Sequence, residues 1–186
     1  MVSIASLWLP ILVSAVIVFF VSFIVHTFLP YHRSDYGKAA NEDALLDAMR
    51  PHTPPPGDYT LPRPASMKDM QAPAFVEKLN RGPRVIMTVM PNGVPGIGPQ
   101  LAQYFVYCAV VNGFAGCVTG QFLAPGADYR DVFHSVALVA FAGYSLALWQ
   151  SSIWYKRKWS TTLKLTFDGA LYALLTAGTF GWLWPA

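Results

Sequence analysis

ASLWLPILVSAVIVFFVSFIVHTFL, residues 5–29, is the stretch on which the fold turns. It contains no Asp, Glu, Lys or Arg. A helix rising 1.5 Å per residue crosses the roughly 30 Å hydrocarbon core of a bilayer in about 20 residues, so this stretch is predicted to span a membrane. Working outward, residues 101–123 and 132–155 are two more runs of spanning length, apolar with scattered Gln, Asn, Gly and Cys. A fourth run, 163–185, carries Lys164 and Asp168, so its hydrophobic part begins near Gly169. The fold expected is an all-α membrane protein of four transmembrane helices with a Pro-rich, mostly irregular cytoplasmic loop carrying one or two short helices. The domain layout expected is a first span over 1–29, a loop region over 30–100, and three further spans within 101–186, at about 101–123, 132–155 and 165–185.

Composition agrees with this class: 54% of residues are hydrophobic and 12% charged, a balance suited to lipid rather than water. The basic residues set the predicted orientation, because Lys and Arg beside membrane spans are retained on the cytoplasmic side. Twelve of the thirteen fall in residues 30–100 or 156–164, and only Arg130 lies between the second and third spans. Four spans with both termini outside the cytoplasm, and the 30–100 loop inside, satisfy every flank. The first span is expected to stay as an anchor, since MVSIASLW lacks a basic leader and no small-residue cleavage site follows the apolar run. Trp8, Trp154, Trp159, Trp182 and Trp184, with Tyr31 and Tyr155, fall near span ends, where rings with one polar edge anchor helices at the interface. Cys108 and Cys117, nine positions apart on one helix, are about 13 Å apart along its axis and cannot pair. Buried, unreactive thiols are expected.

The loop holds twelve of the fifteen prolines, which excludes a long helix there. Asn41 is placed to cap a short helix through NEDALLDAMR, and a second is expected from Pro73 through AFVEKLN to Arg81-Gly82-Pro83. Between them PHTPPPGDYTLPRP, residues 51–64, is expected to be an extended polyproline-type connector and a possible docking site for a cytoplasmic partner. RVIMTVM suggests a short strand, which needs a pairing partner from another subunit, another protein or the loop itself. Gly93, Gly96 and Gly98 lack the GK[ST] of a phosphate-binding loop. Eight basic and seven acidic residues leave the loop nearly neutral, so nucleic acid is not an expected partner.

Ionisable groups inside lipid are costly to bury and are functional candidates for that reason. His26, Gln150 and Asp168 are predicted at similar depth near the cytoplasmic face, a candidate intramembrane polar site able to relay protons, with Ser22 sharing the His26 face. Structural roles compete with this: Asp168 as the cap of the fourth span or the partner of Lys164, and His26 reaching to the headgroups. Asp128, Asp131 and His134 are too few and too exposed for a metal ligand set, and no catalytic residue, cofactor or metal is expected. Asn112 is placed to bond across helices, and small residues recur every four positions as Asn112, Gly116 and Gly120, as Gly169, Ala173, Ala177 and Gly181, and more briefly as Gly143 and Ala147. Such stripes are candidate helix-packing faces, inside the bundle or toward another subunit.

The run SMKDMQAPAFVEKLNRGPRVIMTVMPNG, followed by PQLAQYFVY opening the second span, resembles uncharacterised bacterial inner-membrane proteins. That resemblance implies a bacterial inner membrane and no activity. The function expected is a non-catalytic subunit or scaffold of a membrane assembly, a homo-oligomer or a partner of other membrane subunits. A proton- or ion-conducting oligomer using His26, Gln150 and Asp168 is the alternative. A single haem held by His26 and His134 is excluded within one subunit, because they are predicted near opposite membrane faces.

Overall fold

The computed structural model describes residues 1–186 and divides into two compact units, Met1–Gly37 with Gly96–Ala186, and Lys38–Pro95. The chain is mostly helical, and three helical stretches are long and apolar enough to cross a membrane: Ile4–Phe28, Gly98–Phe122 and Tyr129–Tyr155. In order, the helices and strands are α1 (Trp8–Phe28), α2 (Glu42–Met49), β1 (Gly57–Leu61), α3 (Pro73–Arg81), β2 (Val85–Val89), α4 (Gly98–Phe122), α5 (Tyr129–Ser145), α6 (Trp149–Tyr155) and α7 (Trp159–Leu183).

The larger unit packs α1, α4, α5 and α7 together, with α5 against α7 as its most extensive contact. Its interior is rich in small and weakly polar residues beside larger ones such as Leu7, Val136 and Phe180. Ala15, Ala115, Ala140, Ala173 and Ala177 are fully or almost fully buried, as are Ser14, Asn112, Thr161, Thr162 and Thr176, while Phe20, Phe23, Val110, Phe114 and Leu138 face outward. Water would favour the reverse distribution; lipid favours this one, because helices in a bilayer associate through close packing and interhelical hydrogen bonds.

The stripes of small residues lie inside this unit. Asn112, Gly116, Gly120, Gly169, Ala173 and Ala177 are buried and Gly181 is half-buried. A Cβ on Gly116 would lie 2.8 Å from Phe180 Cε1, and one on Gly120 would lie 2.8 Å from the backbone oxygen of Val2. One on Gly169 would lie 2.1 Å from Ser145 Oγ and one on Gly181 2.6 Å from the Tyr129 ring. Gly143 and Ala147 are exposed, though Gly143 leaves room for Val111. At the centre Asn112 Oδ1 accepts hydrogen bonds from Tyr144 of α5 and Thr176 of α7, both at 3.0 Å, so one side chain ties three helices.

Three features depart from the sequence reading. The third run is broken: α5 ends at Ser145, a 3₁₀ turn covers Leu146–Leu148, and α6 resumes at Trp149. The last helix starts at Trp159, before Leu163, because Thr161, Thr162 and Thr166 are buried or half-buried instead of facing lipid, and two of them bond to neighbours: Ser152 and Thr162 hydroxyls meet at 2.7 Å, and Trp149 Nε1 donates to Thr166 at 3.1 Å. Of the two thiols, Cys108 is buried while Cys117 is exposed.

The smaller unit corrects the expected connector. Residues 57–61 form β1, paired antiparallel with β2 in the register Gly57↔Val89, Tyr59↔Met87, Leu61↔Val85. Thr88 Oγ1 donates to Asp58 Oδ1 across the pair at 2.6 Å. The loop therefore supplies its own second strand. Asp-Tyr-Thr-Leu between Gly57 and Pro62 has the β-prone residues required, which the surrounding prolines obscured. α3 begins with Pro73 and ends at Gly82, whose φ of +63° suits the glycine. No residue of this unit is buried.

Candidate functional site

The candidate site forms where α1 gives way to the following 3₁₀ turn, Pro30–Ser34, and where that turn meets α7. Pro30 opens the turn with its φ already fixed, and the turn carries Tyr31 and His32 to α7. Asp168, ten residues into α7, has 2% of its side chain exposed and receives them both: Tyr31 donates its hydroxyl to Oδ1, and His32 Nε2 lies 2.9 Å from Oδ2. The other ring nitrogen of His32, Nδ1, lies 2.7 Å from Asp35 Oδ2. Asp35 Oδ1 in turn accepts from Lys164 Nζ at 3.0 Å, and the same ammonium donates to Ser34 Oγ at 2.8 Å and to the backbone oxygen of Tyr31. His26, from the last turns of α1, packs edge-on to His32 with ring centroids 4.5 Å apart.

Charge and burial balance in this network. Burial alone would raise the Asp35 carboxyl pKa, but the hydrogen bonds and charges of His32 and Lys164 outweigh it and hold the group below the usual carboxylate range. Burial, reinforced by the bond and charge of Asp168, pushes the Tyr31 phenol upward, so it stays a donor. His32 faces a carboxylate oxygen at each nitrogen, and both contacts are hydrogen bonds only when both nitrogens carry protons.

The structure brings two of the three residues of the expected polar site together, His26 and Asp168, and leaves Gln150 out. Gln150 lies on α6, exposed and without a side-chain hydrogen bond, because the 3₁₀ break after Ser145 resets the face on which the helix continues. Asp168 is neither the cap of α7 nor the partner of Lys164. The helix starts nine residues earlier, and Lys164 reaches away from Asp168 to Asp35. His26 is exposed and lines a groove of about 410 Å³ with Phe19, Ser22, Phe23, Gln100 and Tyr104, between α1 and α4. Of the other site residues, Tyr31 reads in the sequence as an interfacial anchor and Lys164 as a charge near the start of the fourth run, while His32 and Asp35 carry no sequence reading of their own. Far along the chain, Asp128 caps α5 by accepting from Arg130 N at 2.8 Å, and His134 is exposed.

Comparison with known protein families, curated proteins and solved structures returns no significant match.

Proposed function

We propose that this chain is a non-catalytic multipass protein of a bacterial inner membrane, acting as a small subunit or scaffold of a membrane assembly. The observation that carries the reading is the state of the Lys38–Pro95 unit. It has defined helices and a strand pair, yet nothing in it is buried, and Leu45, Leu46, Met49, Ile86, Met90 and Val94 are all exposed. A two-stranded sheet is marginally stable by itself, and so many exposed apolar side chains favour coverage by a partner. In this reading the partner is another membrane subunit or a second copy, and the unit is cytoplasmic.

The reading includes four spans with both termini outside. Its support for the fourth is the distribution on α7, whose polar and small residues, from Thr161 through Asp168 to Thr179, are buried while Leu163, Phe167, Leu174 and Trp182 are exposed. A helix with that distribution is suited to lipid even though its average polarity is high.

The test is native mass spectrometry of the full chain extracted in mild detergent, joined to hydrogen exchange of residues 38–95 in membranes and in the purified monomer. A defined oligomer or complex, with exchange slowed in membranes, is the expected result. A lone monomer with equal exchange in both settings overturns the reading. Conduction is the second reading, favoured by the juxtaposition of His26 and Asp168 near the predicted inner face. Equal proton flux from liposomes holding wild type and Asp168→Asn removes it.

A further inference from the structure

We infer that His26, His32 and Asp168 form a binding site for one divalent transition-metal ion, with zinc as the test ion. The inference is independent of the subunit reading. One ligand atom from each residue lies within 4.8 Å of the others. Two imidazoles and a carboxylate are the donor set that borderline divalent ions favour, with at least one position left for water or another ligand.

The surroundings are what separate this cluster from a chance meeting of polar groups. A ligating histidine characteristically donates its second N–H to a carboxylate, and a ligating carboxylate is itself hydrogen-bonded. His32 meets the first condition and Asp168 the second. His32 turns Nδ1 to Asp35 and Nε2 inward, and Lys164 fixes Asp35 from behind. Asp168 gives Oδ1 to Tyr31 and turns Oδ2 inward. The two inward atoms are 2.9 Å apart, and bonds of about 2.0–2.1 Å to a tetrahedral ion need ligand atoms roughly 3.3 Å apart. A small opening of this pair and a swing of the His26 ring, whose ligand nitrogen already lies within 4.8 Å of the other two atoms, satisfy that spacing. The ion takes the place of the His32 Nε2 proton, which is released to solvent. His26 also lines the groove between α1 and α4, so the cluster borders that groove on one side.

The experiment uses tag-free, full-length protein in mild detergent, stripped with a chelator. It is titrated with Zn²⁺ against a chromophoric competitor and with Co²⁺ followed by visible absorption. One ion per chain is expected, with Co²⁺ giving the intense bands of a tetrahedral site. His26→Gln, His32→Gln and Asp168→Asn should each weaken Zn²⁺ at least about tenfold, and Asp35→Asn, which touches only His32 among the ligands, by about 10–100-fold. His134→Gln should bind as wild type does. His26 makes no side-chain hydrogen bond and is exposed, so His26→Gln tests the site even if the buried variants fail to fold, and its thermal transition in the absence of metal should match wild type. No stoichiometric ion in the wild type, or an affinity indifferent to His26→Gln, overturns the inference.

Discussion

At the scale of single residues, the decisive position is Asp168. A carboxylate in the apolar part of a helix is costly unless its lone pairs are occupied and its charge is matched. Tyr31 and His32 meet those needs from a segment that follows a different helix. Asp168→Ala is therefore expected to destabilise the metal-free protein by about 3 kcal/mol, because the Tyr31 hydroxyl and His32 Nε2 lose their buried partner. Gln150→Ala should stay within about 0.5 kcal/mol of wild type, as exposed side chains without partners usually do. Thermal unfolding in detergent, monitored by circular dichroism, compares the two, and equal losses would contradict the account. Asn112→Ala should cost roughly 1–2 kcal/mol in the same assay, since it strands the Tyr144 and Thr176 hydroxyls and interhelical bonds in membranes have modest strength. The sequence displayed His26 and Asp168 because ionisable groups stand out in apolar runs. It hid His32 and Asp35, which follow the span in PYHRSD and look like ordinary flanking charge. Only their spacing of three, matched to one turn of 3₁₀ helix behind Pro30, could have suggested a shared face.

At the scale of elements, three helices announced themselves through length and apolarity, the properties lipid selects. Where the reading failed, local signals were outweighed by tertiary contacts. Nothing in SLALWQ punctuates a helix, yet α5 stops at Ser145, where Gly169 lets α7 approach and Ser145 Oγ donates to the Thr166 backbone oxygen at 3.3 Å. Gly169→Ala should accordingly separate α5 from α7 and cost about 1–3 kcal/mol, the usual penalty for overpacking. Gly113→Ala, at a site with open space around its Cβ position, should be neutral or slightly stabilising through helix propensity. Denaturation curves of both variants check the contrast. β1 was obscured for a different reason. Its five residues lie among prolines that dominate any reading of the segment, and the strand is evident only once β2 is opposite it.

At the scale of the whole molecule, the placement of charge is the feature that a sequence states most directly, and sidedness is the property it predicts. Thr60→Cys, with Cys108 and Cys117 replaced by Ala, should react with a membrane-impermeant maleimide in inside-out vesicles and remain unlabelled in intact spheroplasts. Labelling in spheroplasts would invert the proposed topology. Helix order around the bundle was not legible, because lipid-facing and interior-facing positions are both apolar and the periodicity that orients a helix in water is weak here. Interior hydrogen bonds supply that order in the folded chain: Asn112 joins α4 to α5 and α7, and Asp168 joins α7 to the turn after α1.

Val2 and the Trp184–Pro185 pair are fastened to the corner between α4 and α5, at the last turn of α4 and the short stretch after it. Val2 N donates to Gly120 O at 2.8 Å, Gly126 N donates to Pro185 O at 2.8 Å, and the indole of Trp184 donates to Ala124 O at 3.0 Å. A fluorescent reporter or affinity handle placed directly beside Val2 or Pro185 would pull on these clasps, so a spacer should separate it from them. The exposed tip around Asn92 and Gly93 is the more forgiving insertion point for anyone wishing to follow this protein in living cells.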